Sequence, residues 1–202
     1  MRADVLSHIE SQDGDIVFFS PFFNQPAIYI NVFEQAREHG EEMFTLLEEC
    51  FAVIDKNVNI STILMSSTNT VFCNIFAAKK QFWGVWFEYC ERIYRVAEEI
   101  STTLGKKLNA NVAHGGGECS AKVFVIERIY SFIPAAQHGR EINPYNPIGS
   151  PYFVSGIGSY ENEMRQLDAL KVAFMKNKYT EYMETFINIR LKLIEQINQK
   201  KQ

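Results

Sequence analysis

The chain has 202 residues, enough for one domain with a substantial core, and its 16 Phe and 9 Tyr supply bulk to fill that core. A formal charge of -4, with the basic residues scattered along the chain, excludes the electrostatic footprint of a nucleic-acid binder. No apolar run approaches the roughly 18 residues that a membrane span needs, and the mixed-charge N-terminus lacks a signal-peptide pattern. The sequence therefore reads as soluble and cytoplasmic, with at most peripheral membrane contact.

In chain order, Asp15 to Ser20 (DIVFFS) is an apolar run bounded by Asp13-Gly14 and Pro21, which predicts a buried strand followed by a loop. Phe44, Leu47, Phe51 and Ile54 recur at helical spacing and predict a core-facing helix over Glu41 to Ile54. Thr70 to Ala78 reads as an extended segment in which Asn74 is the one polar residue in an apolar setting. It leads into a helix from Lys80 to Ile100 whose inner face is Phe82, Trp86, Cys90, Ile93, Ala97 and Ile100. Leu104 to Cys119, ending in Gly115-Gly116-Gly117, predicts a mobile loop. The apolar run Lys122 to Ile133 is a central helix, and an irregular Pro-rich stretch follows from Gln137 to Ser159. Two helices, Glu161 to Lys178 and Glu181 to Gln199, close the chain as a hairpin. No repeat or linker divides residues 1–202, so the fold class is a single α-rich α+β domain, a helical layer packed on a small sheet.

The central helix carries Glu127 and Arg128 amid apolar neighbours. Adjacent helical residues point about 100° apart, so each side chain, if buried, needs its own partner on another element, a ligand or water. A structural ion pair and the polar floor of a pocket are both open readings. On the burial reading, Glu127→Ala would cost about 3–5 kcal/mol.

Other motifs exclude more than they assign. Asp13-Gly14-Asp15 precedes an apolar strand where a metal-diphosphate carboxylate pair would follow one, and it reads as a turn. His8, His39, His114 and His138 share no helical metal spacing, and Cys50, Cys73, Cys90 and Cys119 show no C-x-x-C, so no metal site is assigned and the thiols read as reduced. The Gly triplet matches neither a Rossmann fingerprint nor a phosphate-binding loop, although glycines ahead of a helix N-terminus could cradle an anion. Asn59-Ile60-Ser61 fits a glycosylation acceptor by chance, and no cofactor is assigned.

Four segments, DIVFFSPFFNQPAIYINVFEQAREHG, TVFCNIFAAKKQFWGVWFEYC, AKVFVIERIYSF and INPYNP, resemble in kind and order the glycosyltransferase-like domains of bacterial capsule and lipopolysaccharide biosynthesis. The resemblance implies a sugar or nucleotide-sugar partner and transfer to a hydroxyl acceptor. It implies roles for Asn31, Phe33, Glu34 and Gln35 in the first segment, for Asn74 beside the acceptor, and for Glu127 and Arg128 in a Glu-Arg helix. Inverting transfer needs a base, for which Glu34 and Glu127 are the candidates. It also needs a cation or helix start facing the departing diphosphate, for which Arg128, His114 and the Gly115 to Gly117 stretch are candidates. Trp83, Trp86 and Tyr145 offer flat faces to sugar rings, with core packing as the alternative for each.

Two departures stand against the resemblance. His39-Gly40 stands, at shifted spacing, where the group has His-Pro. The stretch before Asp15 is too short for a nucleotide-gripping half, so the chain is expected to be a fragment or to have lost donor binding, with little turnover in isolation. The expected site is one polar cleft where Asn31, Glu34, Asn74 and Glu127 converge. The competing readings are a noncatalytic sugar-binding or protein-interaction module, and a helical scaffold whose aromatic surplus is core.

Overall fold

The structure, a computed structural model, describes residues 2–11, 13–19, 23–71, 74–136, 142–144 and 160–200. Helix α1 (Arg2–Glu10) leads to β1 (Ile16–Phe18), as the apolar run DIVFFS predicts. All three residues of β1 are buried, the mark of a strand covered on both faces. It is the middle strand of a three-stranded sheet. On one side it pairs antiparallel with β2 (Phe76–Ala78), Ile16 opposite Ala78 and Phe18 opposite Phe76. On the other it pairs parallel with β5 (Ile142–Pro144), in register Ile16 with Ile142.

The segment after β1 is not a loop. It folds into two short helices, α2 (Asn24–Ile28) and α3 (Val32–Gln35), and a 3-10 turn over Ala36–His39. Segments of four or five residues are shorter than two helical turns and show no periodicity to read; the Asn31 cap and burial of Ala27, Val32 and Phe33 hold them. Gly40, at φ +117°, then reverses the chain into α4 (Glu41–Ile54), whose bounds match the periodicity, with Glu41 and Glu42 facing the positive end of its dipole.

Helix α5 (Lys80–Glu98) buries Phe82, Ile93 and Ala97 and leaves Trp86 and Cys90 half-buried. It stops at Glu98, so Ile100 is 69% exposed and not part of the inner face expected of it.

Residues 104–119 correct a third expectation: the stretch is ordered. Helix α6 (Thr103–Asn109) is capped by the Thr102 hydroxyl accepting from Gly105 N–H at 3.0 Å, and β3 (Asn111–His114) and β4 (Gly117–Ser120) form an antiparallel hairpin. Gly115 and Gly116, at φ +58° and +83°, are its two-residue turn, a conformation whose twist matches the flanking strands. The glycines therefore close a hairpin, and the next helix begins at Ala121, so no glycine cradle stands at its N-terminus.

Helix α7 (Ala121–Ala136) is the central element, with Val125, Ile129, Phe132 and Ile133 fully buried. Phe132 stacks on Phe51 at 4.4 Å between centroids, and Phe51 meets Phe33 edge-on at 5.1 Å, joining α7, α4 and α3 in one core.

Helices α8 (Glu161–Asn177) and α9 (Thr180–Gln199) form the predicted hairpin, broken by Lys178 in the left-handed conformation. Its inner face of Met164, Leu167, Phe186 and Leu193 packs with Phe23, Ala27 and Ile28 into a second apolar cluster. The fold is α-rich α+β.

Candidate functional site

Asn31 caps α3. Its Oδ1 accepts from the N–H groups of Phe33 at 3.0 Å and Glu34 at 2.8 Å, and its Nδ2 donates to the carbonyls of Ile60 at 3.0 Å and Ile63 at 2.7 Å. Glu34, three residues on, reaches back to accept from Ile30 N–H at 2.6 Å, a capping box displaced by one residue. Its other oxygen accepts from Arg190 on α9 at 2.7 Å, in a pair whose side chains are 24% and 18% exposed. Both of its oxygens are engaged, and Arg190 ties α9 to the body.

Arg128 is 3% exposed and finds partners both on α3 and within its own helix, none of them a carboxylate. It donates to the carbonyls of Val32 at 3.0 Å and Phe124 at 2.8 Å and to Gln35 Oε1 at 2.6 Å. Burial pulls its pKa down to about 10, opposed by Glu127 and Glu38, and it remains a cation at neutral pH. Gln35 in turn donates to Glu38 at 2.9 Å, and the Tyr29 hydroxyl donates to the same carboxylate. Burial first, and Glu38 second, raise the Tyr29 pKa.

A further set of polar contacts fastens α8. Asp168 accepts from the Ser67 backbone at 2.8 Å and the Ser67 hydroxyl at 2.6 Å, while Lys171, fully buried, donates to the carbonyls of Pro26 and, at 2.6 Å, Tyr29. These residues are a structural hub between the two apolar clusters.

The remaining candidates lie apart from that hub. Glu127 is half-buried and makes no hydrogen bond among the described residues, contrary to the expectation that it is buried and paired; its position on α7 turns it off the face that buries Arg128. Asn74 adopts φ +51° in the turn entering β2, a conformation asparagine tolerates, and its Oδ1 is buried without a partner among the described residues. No hydrogen bond among the described residues joins Asn74 or Glu127 to Asn31 or Glu34.

Trp83 is half-buried, stacked on Phe76 at 4.8 Å and edge-on to Trp86 at 5.7 Å, so its ring belongs to an aromatic ladder that ends at Phe87, 60% exposed. His114 is exposed at the end of β3, where it meets His39 at 5.3 Å and Phe124 at 5.3 Å. His39 stacks on Phe124 at 4.2 Å, and burial, then Arg128 and His114, hold its pKa below the ordinary value. Two histidines distant in sequence thus meet in space, but the described residues hold no group of three metal-ligating side chains. Tyr145, Cys73 and His138 lie outside the described residues.

A cleft of 470 Å³ opens between the segment 57–65, Asn69 and the C-terminal turn of α7. Its polar lining is Asn57, Asn59, Thr62, Asn69 and Ser131, and its apolar lining includes Leu64, Met65, Pro134 and Ala135. No ionisable side chain is among the lining residues described. Asn59 Oδ1 accepts from Ser61, and Asn69 Oδ1 accepts from Ser66 N–H at 2.7 Å, which leaves their Nδ2 groups, and the whole Asn57 amide, without a partner among the described residues. Asn31 shapes the cleft indirectly, through its bond to the carbonyl of Ile63, a lining residue. Ser131 stands one turn beyond Glu127 on the same face of α7.

None of the five polar lining residues is among the sequence's site candidates, and Asn59 reads there only as a chance glycosylation acceptor, although the density of Asn, Ser and Thr from Asn57 to Thr70 between two apolar elements was a signal of functional turns. Comparison with known proteins finds no family model, no curated protein and no solved structure that matches this chain.

Proposed function

We propose that the chain is a carbohydrate-binding module of a glycosyltransferase-related protein, acting in cell-surface polysaccharide biosynthesis by holding a sugar rather than by transferring one. The cleft carries this reading. Its volume falls in the range of small-molecule sites, and amide and hydroxyl groups beside short apolar walls suit a neutral polyol, whose ring presents hydroxyls at its edge and C–H groups on its faces. The engagement of Asn31, Glu34 and Arg128 in the fold supports binding over turnover, because a base must be at liberty to accept a proton. Unpaired thiols at Cys50, Cys90 and Cys119 fit a reducing, cytoplasmic setting, and no helix among the described residues is long and apolar enough to cross a membrane.

Titration of the labelled protein with neutral monosaccharides, followed by amide chemical shifts, is expected to perturb Asn57, Asn59 and Asn69. Shifts confined to the α5 aromatic ladder, or none at any sugar concentration, refute the assignment. A second reading, transfer, is favoured by Glu127, a half-buried carboxylate without a hydrogen-bond partner among the described residues, one turn from the cleft. Its signature is turnover of a nucleotide sugar that Glu127→Gln abolishes without lowering the melting temperature.

A further inference from the structure

We infer that the cleft selects an N-acylated sugar, a 2-acetamido hexose or an oligosaccharide that ends in one; this rests on the carbohydrate-binding reading above. The cleft offers primary amides whose donors at Asn59 and Asn69, and whose donor and acceptor together at Asn57, have no partner among the described residues. A secondary amide on the ligand presents one N–H and one C=O on opposite edges of a plane, which separate side chains of the cleft can meet, the Asn57 amide oxygen accepting from the N–H and the Asn59 or Asn69 amide nitrogen donating to the C=O. Beside the amides, Leu64, Pro134 and Ala135 form an apolar wall suited to the acyl methyl.

The lining also argues against charged alternatives. A uronate, a sialic acid or the diphosphate of a nucleotide sugar needs a cationic partner or a ring of N–H donors once desolvated, and no Lys, Arg or His is among the described lining residues. Burial of the methyl and one added hydrogen bond together predict roughly tenfold tighter binding of the acetamido sugar than of its 2-hydroxy counterpart.

The test is a chemical-shift titration of the full chain with N-acetylglucosamine, glucose, glucosamine and glucuronate. The expected result is binding in the order N-acetylglucosamine above glucose, with glucosamine and glucuronate weakest. Asn57→Ala, at an exposed side chain outside the hub, is expected to lower the N-acetylglucosamine affinity severalfold and the glucose affinity less, narrowing the preference between them. Ala135→Phe, which fills the cleft, should abolish both with thermal stability retained. Equal affinity for glucose and N-acetylglucosamine overturns the N-acyl inference while leaving the binding reading standing. Absence of binding to every sugar removes the reading beneath it, and preference for glucuronate overturns the neutral-ligand argument.

Discussion

Glu34 stands between the Ile30 N–H and the Arg190 guanidinium, one carboxylate oxygen on each, so both oxygens are committed to the fold. The neighbours Glu127 and Arg128 divide along the same line. Arg128 satisfies two carbonyls and the Gln35 amide oxygen inside the protein, whereas Glu127 stands half-buried without such partners among the described residues. Removing a buried donor leaves its acceptors desolvated, and Arg128→Ala is expected to cost about 3 kcal/mol. Glu127→Ala is expected to change stability by less than about 0.5 kcal/mol. Urea denaturation of both variants checks the contrast, and equal losses would mean that Glu127 is an integral member of the hub.

The β3–β4 hairpin is an element held by its turn. Gly115 and Gly116 both occupy φ > 0, where a Cβ costs roughly 1 kcal/mol per residue, and the hairpin carries His114 to His39 and Phe124. Gly115→Ala with Gly116→Ala should therefore destabilise the hairpin and shift the His39 and His114 imidazole resonances toward random-coil values, while Gly115→Asn should preserve both. Unchanged resonances in the double alanine variant would show that packing on Phe124 suffices.

This element also marks the limit of what could be read from the chain. Three glycines read as flexibility, yet two of them are a two-residue turn, and the pairing of Asn111 with Ser120 confirms strands that four-residue polar segments do not announce. Helices α4, α5, α8 and α9 were legible from apolar residues recurring at helical spacing, and α7 from the length of its apolar run, which is buried all round from Arg128 to Ile133. The parallel pairing of β1 with β5 joins positions 16 and 142 and leaves no local trace. The site was less legible still. Asn31 and Glu34 form an N-x-x-E capping signature that the sequence reading did not pick out, and the Gln35 partner of Arg128 is 93 residues away and the Arg190 partner of Glu34 is 156 away. Whether a buried polar side chain serves a ligand or the fold is decided by such partners.

At the scale of the whole molecule, two apolar clusters meet across polar contacts from α8 and α9, and this junction makes stability depend on pH. Lys171 is fully buried among the Pro26 and Tyr29 carbonyls and beside the Phe186 ring at 5.3 Å. Burial pulls its pKa down to about 7, with Asp168 opposing. The folded state therefore binds fewer protons than the unfolded chain between about 7 and the ordinary lysine value, so stability rises with pH across that window, falls as pH drops toward 7, and levels off below it where both states carry the proton. His39 acts in the same sense: its pKa is lowered by burial, Arg128 and His114, so protonation favours the unfolded chain as pH falls through the ordinary histidine range. Both groups predict a protein more stable at pH 9 than at pH 6. Urea midpoints measured across that interval should decline on acidification, and Lys171→Met should flatten the portion above pH 7 while His39→Phe flattens the portion below it. Since Lys171 fastens α8 to α2, hydrogen exchange at pH 6 should also accelerate in α8 and α9 before it does in α7. A stability maximum at pH 6, or uniform exchange across the three helices, would mean that the Lys171 ammonium is fully compensated by its carbonyl partners and Asp168.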